Sequence, residues 1–211
     1  MAGKNKLFVK ICGITRLEDA MFATANGAGA VGFIAYPKSP RYVTPEQVSR
    51  IAGSLKAGIR KVAVFVNPGQ DEINAYIAAG ADVIQLHGDE TAEFAEKIAE
   101  FAEVWKALRL KTEDEALNFR KFPASKFLLD AFSEKEYGGT GRKADWNIAK
   151  FAVETSSVPI ILAGGLNPAN IAEAVNSVNP FGVDISSGVE SSPGIKDLGK
   201  LSKLFEEIKK T

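Results

Sequence analysis

Short apolar runs rich in β-branched residues alternate along the chain with longer segments whose apolar positions recur at helical spacing. Eight of the short runs predict strands of the kind found in parallel sheets covered on both faces. The predicted strands are Leu7–Ile11, Ala30–Ile34, Lys61–Val66, Asp82–Leu86, Val104–Leu108, Lys126–Leu129, Pro159–Leu162 and Phe181–Ile185. The predicted helices are Leu17–Ala25 (with Thr15 as the expected N-cap), Pro45–Leu55, Asp71–Ala79, Thr91–Phe101, Glu113–Arg120, Asp145–Thr155, Pro168–Val178 and Lys196–Lys209.

Eight strand–helix pairs in a chain of 211 residues predict an α/β fold, a minimal (β/α)8 TIM barrel. The rival is a doubly wound open sheet, which usually has fewer strands. No linker, charge block or low-complexity segment interrupts the alternation, so we expect residues 1–211 to form a single barrel domain. In such a barrel the chemistry lies at the carboxyl ends of the strands.

Composition narrows the classes of function. The 26 basic and 26 acidic side chains balance, which disfavours nucleic-acid binding and a polybasic membrane patch. One cysteine and one histidine exclude the common structural zinc sites and a three-histidine catalytic metal site, so no metal is expected. The first ten residues do not resemble a signal peptide and no run approaches a membrane span, so we expect a cytoplasmic protein.

Two glycine-rich turns follow the last two predicted strands. Gly164 and Gly165 leave strand seven, and Ser186, Ser187 and Gly188 leave strand eight. Glycine lets backbone N–H groups approach a phosphate, and barrels recurrently bind phosphate after strands seven and eight. Either turn alone would be an ordinary connection, but the pair predicts a phosphate site.

Two residues are candidates for acid–base chemistry. Cys12 ends strand one, and Lys10 lies on the same strand face, where a cation would favour the thiolate. Asp130 follows the apolar end of strand six, where partial burial would suit a general acid. The alternatives are that Cys12 is a small buried hydrophobe and that Asp130 caps the following loop. That loop, 131–144, is long and glycine-rich and either closes over a ligand or is a surface excursion.

Three further residues are candidates for binding. His87 follows strand four and shares a strand face with Gln85, although a lone histidine is often incidental. Arg41 follows two prolines that stiffen its segment, and its guanidinium suits a carboxylate; a solvated surface arginine is the alternative. Asp184 either faces the site or caps the loop after strand eight.

Seven motifs in order resemble the phosphoribosylanthranilate isomerase family, over about residues 10–193. Two departures from the family pattern are Ala35 and Ala144, where larger residues are expected, and neither is a presumed acid or base. The motifs are Lys10-Ile11-Cys12-Gly13-Ile14-Thr15, Gly32-Phe33 with Pro37-Lys38-Ser39-Pro40-Arg41, Gln85-Leu86-His87-Gly88, Leu128-Leu129-Asp130, Gly138-Gly139-Thr140-Gly141 before Asp145-Trp146, Gly164-Gly165-Leu166-Asn167-Pro168, and Val183-Asp184-Ile185-Ser186-Ser187-Gly188-Val189-Glu190.

The resemblance implies a cofactor-free Amadori rearrangement in tryptophan biosynthesis. N-(5-phosphoribosyl)anthranilate, a phosphorylated aminosugar, would become 1-(2-carboxyphenylamino)-1-deoxyribulose 5-phosphate. Cys12 matches the family's general base and Asp130 its general acid. Arg41 matches the residue that holds the anthranilate carboxylate. The implied substrate-binding residues also include His87, with no chemical step assigned, and Gly164, Gly165, Asp184, Ser186, Ser187 and Gly188.

Other interpretations remain open at this point. Indole-3-glycerol phosphate synthase would need a further set of catalytic lysines. The ProFAR isomerase of histidine synthesis would need acidic residues on strands one and five, where this chain has Cys12 and Arg109. A non-catalytic sugar-phosphate sensor would keep the phosphate turns but would not need Cys12 and Asp130 together. The sequence does not separate a monomer from a homodimer.

Overall fold

The computed structural model describes residues 6–130 and 146–211. Eight parallel strands in the order β1 to β8 form a closed barrel, which confirms the predicted (β/α)8 fold and rules out the open sheet. The barrel strands are β1 (Phe8–Cys12), β2 (Ala30–Ile34), β3 (Arg60–Phe65), β4 (Val83–Leu86), β5 (Glu103–Leu108), β6 (Lys126–Asp130), β7 (Ile160–Ala163) and β8 (Gly182–Ile185).

Within the described residues, eight helices alternate with these strands, and their ends lie within three residues of the predicted ends. They are α1 (Leu17–Ala25), α2 (Pro45–Ala52), α3 (Gln70–Ala78), α4 (Ala92–Ala99), α5 (Glu113–Asn118, followed by a 3-10 turn at Phe119–Lys121), α6 (Asn147–Thr155), α7 (Ile171–Val178) and α8 (Leu198–Ile208). The predicted loop 131–144, its glycine motif and the predicted start of α6 at Asp145 lie outside the described residues. That residues 1–211 form one domain stays a prediction. Among the described residues, no helix has the length and apolar character to cross a bilayer.

Side-chain caps explain where several helices begin. Thr44, Thr91, Thr112 and Asp197 each accept a hydrogen bond from a backbone N–H in the first turn of α2, α4, α5 and α8, respectively. The prediction that Thr15 caps α1 is wrong. Arg16 is the N-cap residue and makes no side-chain cap, and the Thr15 hydroxyl donates to the carbonyl of Gly194 at 2.5 Å.

The start of α8 differs from its prediction in a way that matters for the site. The predicted helix begins at Lys196, but α8 begins at Leu198. Lys196 belongs instead to β10 (Ile195–Lys196), which pairs antiparallel with β9 (Glu190–Ser192). This two-stranded ribbon follows β8 and places Lys196 opposite Glu190.

Alternation along the strands creates two cores. Odd-numbered β1 residues such as Val9 and Ile11 pack outward against the helices in the large core. A smaller cluster fills the barrel, and it includes Cys12, Val64, Trp105 and Leu128. Because side chains alternate with a period of two, Lys10 points into the barrel with Cys12. Barrel closure pairs β1 with β8 and sets Lys10 opposite Asp184.

Candidate active site

The Cys12 thiol lies at the carboxyl end of β1, and its exposure is only 6%. Its neighbour in register on β2 is Gly32. A Cβ atom on Gly32 would come within 2.7 Å of the Cys12 sulfur and 3.1 Å of the Lys10 Cε. The missing side chain at Gly32 therefore makes the space that the thiol and Lys10 occupy.

Lys10 and Asp184 form an ion pair beneath the thiol. The Lys10 side chain is 0% exposed, and its Nζ donates to Asp184 Oδ2 at 2.8 Å. Burial alone would lower the pKa of Lys10, but the attraction of Asp184 and Cys12 outweighs it, so the pKa is raised and the ammonium is retained. The second oxygen, Asp184 Oδ1, is buried without a hydrogen-bond partner in the described part of the chain.

Burial decides the protonation of Cys12 in the ligand-free protein. It raises the pKa of the thiol above its ordinary value, and Asp184 adds to that rise. Lys10 lowers the pKa of the thiol, as the sequence predicted, but its effect is smaller than that of burial. The predicted direction of the Lys10 effect is therefore confirmed, but burial, which the sequence did not reveal, gives the free protein a net rise in the pKa of Cys12.

Asp130 is the last residue of β6, and its side chain is 26% exposed. Its Oδ2 lies 4.0 Å from Nε of Arg109, a residue just beyond β5. The carboxylate thus lies at the same end of the barrel as Cys12. This is the position expected for an acid that meets a ligand in the barrel mouth.

His87 lies among the charges of this mouth. Burial and the nearby Lys10 lower the pKa of its imidazole, whereas Asp184 and Asp130 act in the opposite direction, and the net shift is downward. Its Nδ1 lies 3.2 Å from Nε2 of Gln85, which confirms that the two share a strand face. With a pKa below the ordinary 6.5, His87 is neutral at pH 7.

Arg41 lies beside Gly13, but it is not a free surface arginine. A Cβ atom on Gly13 would come within 2.7 Å of the Arg41 Cδ and 3.0 Å of the Ser186 Oγ. Gly13 also has φ +72°, a conformation that favours glycine. The Arg41 guanidinium is paired with Glu190, with Nη2 to Oε2 at 2.6 Å and Nε to Oε1 at 2.9 Å. Sequence reasoning missed Glu190 as this partner, although it ends a quoted motif.

The two predicted phosphate turns pack against each other. Gly164 and Gly165 have φ of +88° and +63°, which side chains rarely adopt. A Cβ atom on Gly188 would lie 2.0 Å from the carbonyl oxygen of Leu166, so only glycine allows this approach. Ser187 starts a 3-10 turn, Ser187–Val189, whose first N–H groups have no partner within the turn.

The sequence did not identify Lys196 as a site residue, because Lys196 was predicted to be the first residue of a helix. It is buried beneath the ends of β1 and β8. Nothing in the local sequence distinguishes it from the exposed lysines of α8. Within residues 6–130 and 146–211, no group of three or more His, Cys, Asp and Glu is placed to hold a metal ion.

A closed parallel barrel with a thiol, carboxylates and two glycine turns at the carboxyl ends of its strands is typical of a (β/α)8-barrel enzyme. Residues 9–207 match the family model described as N-(5'phosphoribosyl)anthranilate (PRA) isomerase. The chain therefore belongs to this family of isomerases, which sets aside the two alternative barrel families.

Individual relatives agree with the family match. The chain is 45% identical over 202 residues to the N-(5'-phosphoribosyl)anthranilate isomerase of Geotalea uraniireducens, and the alignment covers 95% of this chain and 98% of the relative. It is 42% identical to the solved enzyme of Thermotoga maritima, with a TM-score of 0.87 over 97% of this chain and all of that one. A third structure is a phosphoribosylanthranilate isomerase in complex with reduced 1-(o-carboxyphenylamino)-1-deoxyribulose 5-phosphate; its identity is 39% and its TM-score 0.85, with 97% of this chain and 100% of that chain covered.

Proposed function

We propose that this protein converts N-(5-phosphoribosyl)anthranilate to 1-(2-carboxyphenylamino)-1-deoxyribulose 5-phosphate by an Amadori rearrangement in tryptophan biosynthesis. The observation that carries the proposal is the placement of a thiol and a carboxylate on separate strands, β1 and β6, at one barrel mouth. Family membership supports the same reaction. A substrate lying between the two groups would meet an acid on one side and a base on the other.

Asp130 is the general acid in this proposal. It gives a proton to the ring oxygen of the aminosugar as the bond between that oxygen and C1 breaks. The nitrogen lone pair then forms a C=N bond, which leaves a protonated Schiff base. An acid at this position lowers the barrier because the alkoxide leaving group is never released as a free anion.

Cys12 is the general base. The Schiff base acidifies the hydrogen on C2, and the thiolate removes it to form an enolamine, which becomes the ketone as C1 gains a proton and the C2 hydroxyl loses one. The thiol is neutral in the free protein because it is buried. A cationic Schiff base would act with Lys10 to favour the thiolate, so the base forms when substrate is present.

The remaining predicted residues bind the substrate. Arg41, beside Cys12, holds the anthranilate carboxylate, and the turns at Gly164-Gly165 and Ser186-Ser187-Gly188 hold the phosphate through backbone N–H groups. Asp184 Oδ1, buried and without a described partner, would accept a hydrogen bond from a sugar hydroxyl. His87 contacts substrate without a proton-transfer step. The isomerisation balances its own electrons, so no redox cofactor takes part.

Turnover of phosphoribosylanthranilate, generated in the cuvette, tests the proposal through the loss of its fluorescence. We expect rapid loss with the native protein and a rate at least about 10²-fold lower with Cys12→Ala, the usual scale for a general base. Circular dichroism would establish that both proteins are folded. Binding without turnover by the folded native protein would contradict the proposal and favour a sugar-phosphate sensor.

A further inference from the structure

Glu190 already occupies one edge of the Arg41 guanidinium. Its carboxylate accepts from Nε at 2.9 and 3.1 Å and from Nη2 at 2.6 Å. In the described part of the chain, Nη1 of Arg41 makes no hydrogen bond. A second carboxylate can therefore approach Arg41 only at the outer edge, where Nη1 and the remaining N–H of Nη2 point.

The Glu190 carboxylate is held in place from several directions. Its side chain is 5% exposed, and Oε1 also accepts from the Lys196 ammonium at 2.9 Å and the Gly194 N–H at 3.2 Å. Burial alone would raise the pKa of Glu190, but the bonds from Arg41 and Lys196 outweigh it and lower the pKa. Glu190 is thus an anion with little freedom to turn.

Lys196 connects this pair to the strand that carries the thiol. Its side chain is 0% exposed, and Nζ donates to the Cys12 carbonyl at 2.6 Å, the Ser186 carbonyl at 3.2 Å and Glu190. Burial lowers the pKa of Lys196 and Glu190 acts in the opposite direction, and the three acceptors take up the three N–H bonds of its ammonium. Its backbone N–H donates to buried Asp19 at 3.0 Å, so the β10 end is also anchored.

The charges of this cluster do not cancel. Arg41 and Lys196 carry two positive charges against the single negative charge of Glu190, which leaves a net charge of +1 next to Cys12. An Arg41–Glu190 pair by itself would be neutral and would attract a substrate anion weakly. Lys196 therefore supplies the charge that the pairing with Glu190 would otherwise remove.

We infer that Glu190 is a positioning residue, anchored by Lys196, which turns the outer edge of Arg41 toward the substrate and so makes the pocket selective for an aromatic amine that carries a carboxylate. The inference rests on the proposed function. The substrate carboxylate is bound end-on, through Nη1 and Nη2 of Arg41. Selectivity for that carboxylate then depends on Glu190 and Lys196, which do not touch the substrate.

The test compares two probe ligands. One is reduced 1-(o-carboxyphenylamino)-1-deoxyribulose 5-phosphate, and the other is the same molecule with a phenylamino group in place of the carboxyphenylamino group. The native protein should bind the carboxylate probe at least about tenfold more tightly, because only that probe forms charge-assisted hydrogen bonds with Arg41. Calorimetry would measure both dissociation constants.

Glu190→Gln removes a negative charge beside Arg41, but it also frees the guanidinium to turn. If positioning matters more than charge, the variant should reduce this preference by about tenfold and leave the affinity for the phenylamino probe within about twofold of native. If Glu190 had only a structural role, the variant would bind both probes more weakly by the same factor, and this result would overturn the inference. A preference equal to that of the native protein would also overturn it. Because Glu190→Gln removes a buried ion pair and could unfold the protein, Lys196→Met provides a second measurement; we expect it to lower the preference by about threefold or more, and an unchanged preference would contradict the inference.

Glu90→Gln is the matched control. Glu90 is also buried at this end of the barrel and paired with a buried lysine, Lys106, at 2.7 Å, but it does not contact Arg41. It should leave the carboxylate preference unchanged; an equal loss in Glu90→Gln would assign the effect to general destabilisation. If the native protein shows no preference for the carboxylate probe, the proposed substrate is wrong, whereas a native preference that survives in Glu190→Gln contradicts only the positioning role.

Discussion

Two sets of polar side chains at opposite ends of the barrel differ in how many of their hydrogen bonds are made within the protein. At the amino end, Glu103 accepts hydrogen bonds from Trp105 Nε1 at 2.7 Å and from Ser125 Oγ and Lys126 Nζ, both at 2.8 Å, and it also pairs with Arg60. At the carboxyl end, Gln85 Oε1 and Asp184 Oδ1 are buried without a partner among the described residues.

This difference indicates that the polar groups around Glu103 contribute to stability, whereas those at the mouth are available for function. A buried polar atom without a hydrogen bond costs about 1–3 kcal/mol, and the Glu103 carboxylate avoids this cost through partners within the protein. In the proposed function, a ligand hydroxyl would satisfy the acceptors that the described residues leave free at the mouth, where Cys12, Asp130 and Arg41 also lie. We therefore expect substitutions at the mouth to affect catalysis or binding, with or without an effect on stability, and substitution of Glu103 to affect stability alone.

Asp130→Ala should have the largest effect. Loss of the general acid should lower turnover by at least about 10²-fold with little change in the melting temperature. Asp197→Ala is the control, because Asp197 is a carboxylate whose observed role is to cap α8; it should cost about 1 kcal/mol of stability and leave turnover intact. If turnover by folded Asp130→Ala falls by less than about tenfold, Asp130 is not the general acid and the alternative, that it caps the following loop, is favoured.

Arg41→Ala should weaken substrate binding more than it slows the chemical step. Loss of charge-assisted hydrogen bonds of about 1.5–3 kcal/mol predicts a KM about 10- to 100-fold higher. Steady-state kinetics over a wide range of substrate concentration would separate KM from kcat. Unchanged KM and kcat would exclude Arg41 from the site.

Glu103→Gln should affect stability alone. The amide retains one acceptor oxygen but turns an N–H group toward Lys126 or Arg60, which predicts a loss of about 1–2 kcal/mol in the free energy of unfolding. Urea unfolding would measure this loss, and kcat/KM should stay within about twofold of native. A large fall in kcat/KM would contradict the expectation that Glu103 contributes to stability and not to catalysis.

Acidification should give the smallest effect, confined to a narrow range of pH. The pKa of Glu190 is lower in the folded protein than its ordinary value of 4.5, so its contribution to stability is complete above about pH 4.5 and is lost as pH falls through the folded-state pKa. Glutamine does not titrate. The difference in unfolding free energy between native protein and Glu190→Gln should therefore be constant near neutral pH and shrink below about pH 4.5; a constant difference in urea unfolding at both pH 7 and pH 3.5 would contradict the paired carboxylate.

Much of the fold could be predicted because it is set by local pattern. The apolar runs and their turn residues located all eight strands, and Ala30–Ile34 and Leu17–Ala25 were predicted to the residue. Predictions failed where a distant partner competed for a local group. The Thr15 hydroxyl donates to Gly194, distant in sequence, and α1 begins after Arg16. Lys196 joins a strand ribbon instead of a helix, where Glu190 and two strand ends accept its ammonium.

The sequence by itself determined the barrel, the family and the strand ends that carry Cys12 and Asp130, because the periodicity and the motif spacing are properties of the chain. Only the tertiary structure decided the surroundings of Cys12 and Arg41. It buries Cys12 so that desolvation outweighs Lys10, places Gly32 to make room for the thiol, and closes β1 on β8 to bring Lys196 and Glu190 behind Arg41. These are effects of burial and charge between residues far apart in the chain, and they arise only when the barrel closes.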